Sequence, residues 1–379
     1  MSNTGSFDLA VVGAGIIGLA HAYVAARQGL RVCVIDRDAQ ANGASVRNFG
    51  FITVTGQQRG TCWRRAMRTR DVWAEIAPAA GIAVEQEGLL VLARRPEAWP
   101  VLEAFRGTEM GERCELLRPD QVCERHPALR PDALAGALYS PHELRVESRT
   151  AIPKLADHLA SAYGVTFLRS TWVHGVAPPR VETSAGTVHA DAIVVCPGDK
   201  FGSLYPERIA AYGLTRCLLH MLRVRPRGGF RLPHPVMSDL SLVRYEGYAA
   251  LPESAPLLAR LRDEQGAELD HGIHLIAVAS GDGSLVVGDS HRYAATPDPF
   301  AVAEVDDLML REMTAATGLS DYEVIERWTG TYASAGDRLM LVDTPEPAVR
   351  IVIVTSGTGA STGFAIAEEV IADLGGKSA

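Results

Sequence analysis

The stretch DLAVVGAGIIG, at residues 8–18, decides the fold of this chain. Its first part is an apolar run at residues 8–12, which predicts a β-strand and leads into a glycine-rich turn. A helical pattern follows over residues 16–27, and a second apolar run at residues 31–35 predicts another strand. Strand, tight turn, helix and strand in this order are typical of a dinucleotide-binding βαβ unit.

The turn has the G-x-G-x-x-G spacing, and each glycine has a physical role in it. Gly13 permits the tight turn, Gly15 leaves room for a pyrophosphate against the backbone, and Gly18 lets the helix pack closely on the strand. The alternative is that the glycines only shape a turn. Because strand, turn and helix occur in the right order, the sequence favours a dinucleotide site.

The helix after this turn offers its N-terminal N–H groups and its dipole to phosphates, at residues that include Ile16 and Ile17. An acidic residue, Asp36, ends the second strand. A carboxylate there accepts hydrogen bonds from ribose hydroxyls and disfavours a 2′-phosphate, although a solvated surface charge is the alternative. These features do not separate NAD from FAD.

Length and composition indicate a soluble enzyme of two domains. The chain has 379 residues, of which 47% are hydrophobic and 22% are charged. The formal net charge is −8 and no run of Lys or Arg occurs, so a nucleic acid partner is not expected. The six cysteines form no Cys-x-x-Cys pair, and no apolar stretch is long enough to span a bilayer. We therefore expect reduced thiols, a cytoplasmic location and no membrane association.

Beyond the opening unit, helix and strand patterns alternate with turn-rich stretches. Helical patterns cover residues 59–80, 152–163 and 364–374, and strand patterns cover residues 87–93, 190–195 and 350–354. Two apolar runs at residues 274–279 and 285–288, joined by Ser-Gly-Asp-Gly-Ser, predict a β-hairpin. The remaining middle segments have β-like runs between Pro- and Gly-rich turns.

The simplest arrangement of these patterns is one discontinuous nucleotide-binding domain with two insertions. Residues 1–80, 140–215 and 324–379 are predicted to form that domain. Residues 81–139 and 216–323 are predicted to build a second domain around an antiparallel sheet.

Three further segments carry sequence patterns of their own: SVRNFGF at residues 45–51, VVCPGD at residues 194–199 and GTGASTGF at residues 357–364. Together with that motif they resemble the D-amino-acid-oxidase-like family of flavoenzymes, which includes glycine oxidase and sarcosine oxidase. The resemblance covers nearly the whole chain. It implies an α/β fold, α+β overall, with a Rossmann-like FAD-binding domain and an inserted antiparallel-sheet substrate domain. The SVRNFGF segment and the compact length are similar to a clade associated with aminophosphonate breakdown.

The resemblance assigns FAD contacts to these segments. Residues 45–51 supply hydroxyl, guanidinium and amide groups for a phosphate and the polar edge of the flavin, although a surface loop is the alternative. The small residues of the C-terminal turn let a helix N-terminus approach the N1/O2 edge of the ring. The expected cofactor contacts are Gly13, Gly15, Ile16, Ile17, Gly18, Asp36, Arg37, Ser45, Arg47, Asn48, Phe49, Gly50, Phe51, Val173, Gly198, Asp199, Gly357, Thr358, Gly359, Ala360, Ser361 and Thr362.

Three positions depart from the family pattern. Many relatives carry an Arg, which pairs with a substrate carboxylate, at about the position of Tyr332. Sarcosine oxidases place a flavin-linking Cys near the position of Gly330, so the FAD is expected to be non-covalent. They also carry a Lys in the C-terminal turn, where this chain has Gly363, and this leaves the electron acceptor open between oxygen and another carrier.

The missing Arg directs attention to other groups that can hold an anion. Residues 244–248 (RYEGY) and 291–293 (HRY) offer Arg, His and Tyr side chains, which suit a phosphonate, although solvated strand ends are the alternative. The candidate catalytic residues are Tyr332, His291, Arg292 and Ser334. His271 and His274 have helical ligand spacing but lie at a strand start, so no metal is expected.

The function expected from these features is FAD-dependent oxidation of a small primary or secondary amine to an imine or aldehyde, with oxygen reduced to hydrogen peroxide. The substrate is expected to be 2-aminoethylphosphonate or its N-methyl derivative. One alternative is a flavin dehydrogenase that passes electrons to a quinone or carrier protein. Another is a non-catalytic flavin-binding subunit, and a third is a nicotinamide dehydrogenase, against which the C-terminal glycine-rich turn argues.

Overall fold

A computed structural model describes residues 4–376 of the chain. Residues 1–3 and 377–379, at the ends of the predicted nucleotide-binding domain, lie outside the described residues. The strands are β1 (Thr4–Val12), β2 (Val32–Ile35), β3 (Phe51–Ile52), β4 (Val84–Ala93), β5 (Glu115–Leu117), β6 (Gly136–Val146), β7 (Thr166–Leu168), β8 (Val173–Ala177), β9 (Arg180–Thr183), β10 (Gly186–Val195), β11 (Thr215–Pro226), β12 (Val236–Met237), β13 (Ile276–Ala279), β14 (Leu285–Gly288), β15 (Arg292–Ala294), β16 (Tyr322–Ser334), β17 (Met340–Asp343) and β18 (Val349–Val354). The helices are α1 (Ile16–Arg27), α2 (Thr61–Ala79), α3 (Ala98–Arg106), α4 (Pro119–Arg125), α5 (Ser148–Tyr163), α6 (Pro206–Ala210), α7 (Glu246–Ala249), α8 (Ser254–Glu264), α9 (Gly266–Asp270), α10 (Ala303–Thr317) and α11 (Gly359–Leu374).

The first sheet has the strand order β17-β18-β10-β1-β2-β7, and its five strands from β18 to β7 run parallel. The hairpin β8–β9 is attached to β10, and β17 pairs antiparallel with β18. Strand β2 is buried along its whole length, as expected for a parallel sheet with both faces covered. This arrangement confirms the predicted Rossmann-like unit.

Helix α1 packs against the first sheet and against helix α11, because it is apolar on almost every side. Its contact with the turn requires glycine: a Cβ on Gly18 would lie 1.8 Å from the carbonyl oxygen of Gly13. Phe364 of α11 fills the space between α1 and α2 through edge-on contacts with Tyr23 and Trp73. The start and the end of the chain therefore share one core.

The second sheet has the strand order β15-β11-β14-β13-β12-β4-β6-β3, with β16 paired to β11 and β5 paired to β6. Most of its pairs are antiparallel, and β12 with β4 is a parallel pair. The predicted hairpin is present, with β13 and β14 antiparallel from Ile276 opposite Gly288 to Ala279 opposite Leu285. The inserted antiparallel sheet is therefore confirmed.

The inserted segments contain more helix than the sequence patterns predict. Helices α3 and α4 lie between β4 and β6, and α7 to α10 lie between β12 and β16. In α8, Leu257 and Leu261 are buried one turn apart, which is a helical spacing that short β-like runs conceal. In α10, Gly318 ends the helix in a left-handed conformation.

Two long strands cross the predicted domain boundaries. Strand β6 begins before residue 140, and β16 extends past residue 324, yet both belong to the antiparallel sheet. The length of β16 explains this, because it pairs with β11 from Tyr322 to Ser334, and Ser334 then bridges to Ser356 next to the first sheet. The boundaries themselves stay a prediction. Within residues 4–376 we find no helix with the length and apolar character needed to cross a membrane.

Candidate functional site

A cavity extends from the carboxyl ends of β1, β2 and β10 to the face of the antiparallel sheet. Val12, Ile35 and Val195 line it at the ends of the parallel strands. Tyr332 and Asp289 line it at the antiparallel sheet. In open parallel sheets, ligands bind in the crevice at the carboxyl ends of the strands. The cavity therefore joins the predicted dinucleotide site to the predicted substrate domain.

The glycines of the opening turn leave space that a side chain would fill. Gly13 has a φ of +108°, and a Cβ there would lie 2.5 Å from the carbonyl oxygen of Cys196. A Cβ on Gly15 would lie 2.9 Å from Ser45 Oγ. The Ile16 N–H donates to the same Ser45 Oγ over 2.9 Å. Ser45 therefore lies at the helix N-terminus, where a pyrophosphate binds in such a unit.

Asp36 lies at the other side of this turn. Its Oδ2 accepts the Ala14 N–H over 2.5 Å, and its Oδ1 accepts the Asp38 N–H over 2.8 Å. Both bonds are to the backbone, so they fix the carboxylate at the end of β2 and at the cavity wall. That is the place where a ribose hydroxyl is held by an acidic residue.

The segment with Arg47 is anchored on strand β16. Arg47 Nη1 donates to the Thr329 carbonyl over 3.3 Å, and Trp328 Nε1 donates to the Arg47 carbonyl over 3.1 Å. Arg47 Nη2 donates to Asn42 Oδ1 over 3.1 Å. Both partners of the guanidinium are neutral oxygens, so its charge is available for an anionic part of a cofactor. Asn48 folds back on its own turn, where Nδ2 donates to the Ala44 carbonyl over 2.6 Å.

Asp199 and the C-terminal turn also contact strand β16. Thr331 Oγ1 donates to Asp199 Oδ2 over 2.7 Å. Gly357 has a φ of +72°, and a Cβ there would lie 3.1 Å from the ring of Tyr332. Strand β16 therefore contacts all three of the further segments that the family resemblance assigns to FAD.

All the expected cofactor contacts line the cavity except Gly50 and Thr362. Gly50 has a φ of +66°, and a Cβ there would lie 1.8 Å from the Val146 carbonyl oxygen, so this glycine is needed for packing on β6. Thr362 is buried and its Oγ1 donates to the Thr358 carbonyl over 3.0 Å. Both assignments are corrected: these residues shape the backbone and do not face the cavity.

The cavity fits FAD by its chemistry. It offers a helix N-terminus cleared by glycine, a fixed carboxylate at the end of β2, and a small-residue turn at the N-terminus of α11. At Gly330 a Cβ would lie 3.2 Å from Arg47 Cβ, so the β16 strand approaches the Arg47 segment closely. Of the described cysteines, Cys196 lines the cavity, and it lies at the end of β10, away from Gly330. Non-covalent binding stays a prediction.

Beside the antiparallel sheet, the guanidinium of Arg244 supplies a positive charge to the cavity. This residue follows a 3₁₀ turn at Asp239–Val243, lines the cavity and is exposed. Its Nη2 donates to the Tyr293 hydroxyl over 2.6 Å. No carboxylate in the described part of the chain lies within ion-pair distance of its guanidinium nitrogens.

A cluster of three buried groups lies beside Arg244: His274, Asp289 and His291. Asp289 Oδ1 is 3.2 Å from His274 Nε2, and Asp289 Oδ2 is 3.7 Å from His291 Nε2. The two imidazole rings are stacked with their centroids 5.0 Å apart. The side chains of all three are at most 8% exposed, so water does not screen them. Antiparallel pairing brings two of them together, since the His274 N–H donates to the Asp289 carbonyl.

Burial changes the pKa values of all three groups. It raises the pKa of Asp289 to about 7, while the positive charge of Arg244 acts in the lowering direction. Burial and Arg244 lower the pKa of His291 to about 3. For His274, burial, His291 and Arg244 together hold the pKa well below its usual range. Both imidazoles are therefore neutral at physiological pH, and Asp289 titrates there.

The same cluster has a spacing that occurs in metal sites, since its ligand-type atoms lie within 4.8 Å of one another. The neighbouring guanidinium of Arg244 opposes a second cation in this buried place. That this cluster binds no metal stays a prediction.

The structure brings together three of the four predicted catalytic residues. Tyr332, His291 and Ser334 line the cavity. Arg292 does not, because side chains alternate along β15, and His291 and Tyr293 face the cavity while Arg292 points to solvent. The assignment of Arg292 is corrected.

Sequence reasoning left His274 and Asp289 out of the predicted catalytic set. Both residues lie just beyond the predicted hairpin strands, where the backbones of His274 and Asp289 exchange hydrogen bonds one residue out of the register of β13 and β14. The spacing of the apolar runs does not show this shift.

Comparison with known proteins identifies the family of this chain. The family model described as FAD dependent oxidoreductase (DAO) matches residues 8–374. The glycine oxidase of Geobacillus kaustophilus is 27% identical over 211 residues, which cover 52% of this chain and 55% of that protein. D-amino acid dehydrogenase 2 of Mesorhizobium japonicum is 26% identical over 262 residues, covering 52% of this chain and 62% of that protein. The chain thus spans between half and two thirds of the length of each of these two relatives.

The fold is also found among solved structures. The glycine oxidase from Bacillus cereus superposes with a TM-score of 0.79 at 17% sequence identity, covering 98% of this chain and 96% of that one. At this identity the similarity establishes the fold alone.

Proposed function

The chain belongs to the DAO family of FAD dependent oxidoreductases, and from this we propose that it oxidises a small primary or secondary amine that carries a phosphonate group. The substrates we propose are 2-aminoethylphosphonate and its N-methyl derivative. FAD is the cofactor of the family, and when bound it accepts the hydride that leaves the carbon next to the amine nitrogen. The amine also loses a proton, and water hydrolyses the resulting imine to an aldehyde.

The residues that would hold FAD are those of the first sheet and its turns. The helix N-terminus behind Gly15 and Ser45 suits the pyrophosphate, and Asp36 suits the ribose. The turn at Gly357 and the start of α11 suit the flavin edge that becomes negative on reduction. These segments leave the antiparallel sheet free to bind the substrate.

The observation that carries the proposal is that Arg244 faces the cavity without a carboxylate partner in the described part of the chain. It faces the cavity with a full positive charge, and its hydrogen-bond partner is the neutral hydroxyl of Tyr293. Its guanidinium has no carboxylate within ion-pair distance in the described residues, so a ligand anion in the cavity can form a charge-assisted hydrogen bond with it. The neutral imidazoles of His274 and His291 and the hydroxyl of Tyr332 line the same part of the cavity.

A phosphonate fits this set better than a carboxylate does. Tyr332 stands where many relatives carry the carboxylate-binding Arg, and a tyrosine supplies no positive charge. A phosphonate has three oxygens and up to two negative charges, so it can accept from a guanidinium and a hydroxyl at once. The cavity offers these donors around Arg244.

An anaerobic titration of the purified holoenzyme tests the proposal. The flavin absorbance is followed while 2-aminoethylphosphonate, its N-methyl derivative, glycine or sarcosine is added. We expect the phosphonates to bleach the flavin. Bleaching by glycine and sarcosine alone would contradict a phosphonate substrate, and a flavin that no amine reduces would favour a non-catalytic flavin-binding subunit.

Replacing Arg244 by Gln tests the anion site within the same experiment. A hydrogen bond to a charged group contributes about 1.5–3 kcal/mol, so the Kd for the phosphonate is expected to rise about 10- to 100-fold. Arg262, exposed on α8 and outside the cavity, provides the matched control as Arg262→Gln. An R244Q enzyme with the wild-type Kd would contradict the assignment of the anion to this residue.

We propose oxygen as the electron acceptor, with hydrogen peroxide as the product, and one observation favours a dehydrogenase as the second candidate. The C-terminal helix has Gly363 where sarcosine oxidases carry a Lys, and a Cβ on Gly363 would lie 3.1 Å from Ile17 Cδ1, so a side chain there would require Ile17 to shift. Admitting air to the reduced enzyme separates the two: rapid reoxidation with peroxide supports an oxidase, and reoxidation by a dye or quinone alone supports a dehydrogenase.

A further inference from the structure

We infer that Asp289 carries a proton whenever an anion is bound at Arg244, so that this cavity takes up its anion together with one proton. The inference rests on the proposed function, because it concerns the site to which that function assigns the phosphonate. In this role Asp289 determines specificity through its effect on anion binding. It is not an acid or base in the oxidation.

The hydrogen bonds of His291 give the first argument. His291 Nδ1 lies 2.9 Å from the Gly272 carbonyl oxygen, and a carbonyl oxygen can only accept, so Nδ1 carries the hydrogen. A neutral His291 therefore presents the lone pair of Nε2 to Asp289 Oδ2 at 3.7 Å. A carboxylate and a lone pair repel each other, whereas a protonated carboxyl can donate towards the imidazole.

His274 extends this argument to the other carboxyl oxygen. Its Nδ1 lies 3.5 Å from Ser241 Oγ, which is itself 3.4 Å from the Leu275 carbonyl oxygen. When Ser241 donates to that carbonyl, His274 Nδ1 donates to Ser241, and His274 Nε2 then faces Asp289 Oδ1 with its lone pair at 3.2 Å. Asp289 Oδ1 is buried and has no well-aligned hydrogen-bond donor in the described residues.

The charge of Arg244 gives the second argument. In the empty cavity, an ionised Asp289 is the negative charge that offsets the Arg244 guanidinium, which is why Arg244 lowers the pKa of Asp289. A bound anion takes over that pairing and adds a negative charge beside Asp289. Both changes disfavour the ionised carboxyl, so binding of the anion raises the pKa of Asp289 further.

The other titratable groups around Asp289 do not compete for this proton near neutral pH. Burial raises the pKa of Tyr245 well above its ordinary value and that of the Cys217 thiol to about 11. Burial also raises the pKa of Tyr332 and Tyr293, which face Arg244. Within the described residues packed around the cluster, Asp289 is therefore the group that titrates in this range.

The experiment uses ethanesulfonate as the probe, because its single negative charge does not change between pH 5.5 and 8.5. Binding to the oxidised holoenzyme is measured by isothermal titration calorimetry in two buffers of different ionisation enthalpy, which counts the protons taken up. We expect uptake of about one proton at pH 8 and almost none at pH 5.5. The Kd is expected to rise about tenfold per pH unit above pH 7.

The variant Asp289→Asn removes the titrating group and keeps the shape of the side chain. In this variant the Kd for ethanesulfonate is expected to stay constant across the pH range, with no proton uptake. Asp263, exposed on α8 and outside the cavity, provides the control, and D263N is expected to keep the wild-type profile. Flavin absorbance of each variant verifies that the holoenzyme is folded.

A wild-type Kd that does not change with pH would overturn the inference, as would a D289N enzyme that still takes up a proton. A wild type that binds ethanesulfonate at no pH would overturn it too. These outcomes are separate from the proposed function, which fails when the phosphonates do not bleach the flavin. Proton-linked binding of the sulfonate without bleaching by any phosphonate would support the inference and reject the substrate.

Discussion

Replacing Asp289 by Asn is expected to stabilise the folded protein, and to do so more strongly as the pH rises. The reason is that the folded chain holds this carboxyl among two imidazoles and excludes water, which penalises the charged form. An asparagine at the same place has no charge to lose. The prediction concerns the free energy of unfolding and is independent of any substrate.

The magnitude follows from the pKa of Asp289, which rises from an ordinary value of 3.8 to about 7 in the folded chain. Each pKa unit corresponds to about 1.4 kcal/mol, so ionised Asp289 lowers the free energy of unfolding by about 4 kcal/mol at pH 8. At pH 5 the cost is about 2 kcal/mol, because only the unfolded chain is ionised there. Since the pKa is raised on folding, the stability due to the neutral carboxyl is complete below about pH 4 and is lost as the pH rises through 7.

The assay is thermal or denaturant unfolding of flavin-loaded wild type and D289N at pH 5, 6.5 and 8, followed by tryptophan fluorescence. The difference in unfolding free energy between the two proteins is expected to widen by about 2 kcal/mol from pH 5 to pH 8. D263N provides the control, for which the difference should not depend on pH. A D289N difference that is constant, or that narrows as the pH rises, would refute the reasoning.

A double-mutant cycle extends this test to the partner charge. Because Arg244 lowers the pKa of Asp289, R244Q and D289N are expected to be coupled at pH 8, where Asp289 is ionised. At pH 5 the coupling should vanish, because Asp289 is neutral in the folded chain. Equal coupling at both values of pH would show that the two side chains interact by packing and not by charge.

Two further predictions concern the cofactor site and the core of the antiparallel domain. A Cβ at Gly18 would lie 1.8 Å from a carbonyl oxygen of the preceding turn, so G18A is expected to lose most of its bound flavin, measured as the ratio of flavin to protein absorbance; G202A, where a Cβ meets open space, should retain it. The fully buried Asp239 pairs with Arg95 over 2.9 Å, so D239A is expected to lower the free energy of unfolding by about 3–5 kcal/mol in denaturant titrations, against little change for the exposed D263N.

The sequence predicted the parts of the fold whose signals are local. Helix α1 has the predicted bounds, and the hairpin of β13 and β14 occurs where two apolar runs flank a Gly- and Asp-rich turn. Both depend on spacing within about a dozen residues. The helices of the insertions were missed because runs such as that around Leu257 are short and amphipathic, so strand and helix patterns overlap.

The cofactor site was predictable for the same reason, and the substrate site was not. The glycines and Asp36 lie within one βαβ unit, so their roles follow from its geometry. His274 and Asp289 flank the hairpin of β13 and β14, whereas Arg244 follows the 3₁₀ turn, 30 residues before His274 in the sequence. The sequence does not show that these segments meet. Residue type alone singled out Arg292 beside His291, and only the alternation along the strand shows that Arg292 faces solvent.

Arg244 and Asp289 form a pair that places the proposed anion site at Arg244 and not at position 332 of β16, where many relatives carry an Arg. The residues of β16 that line the cavity, 330–334, include no cation, and the positive charge at this end of the cavity comes from Arg244, after the 3₁₀ turn. The charge of Arg244 acts to lower the pKa of Asp289, so an ionised Asp289 offsets part of that charge when no anion is bound. The same acid would repel the ligand's anion if it stayed ionised. An enzyme that binds its anion at Arg244 therefore needs a neighbouring acid that is neutral when the anion is bound. Burial between two neutral imidazoles meets this need, because it raises the pKa of Asp289 to about 7.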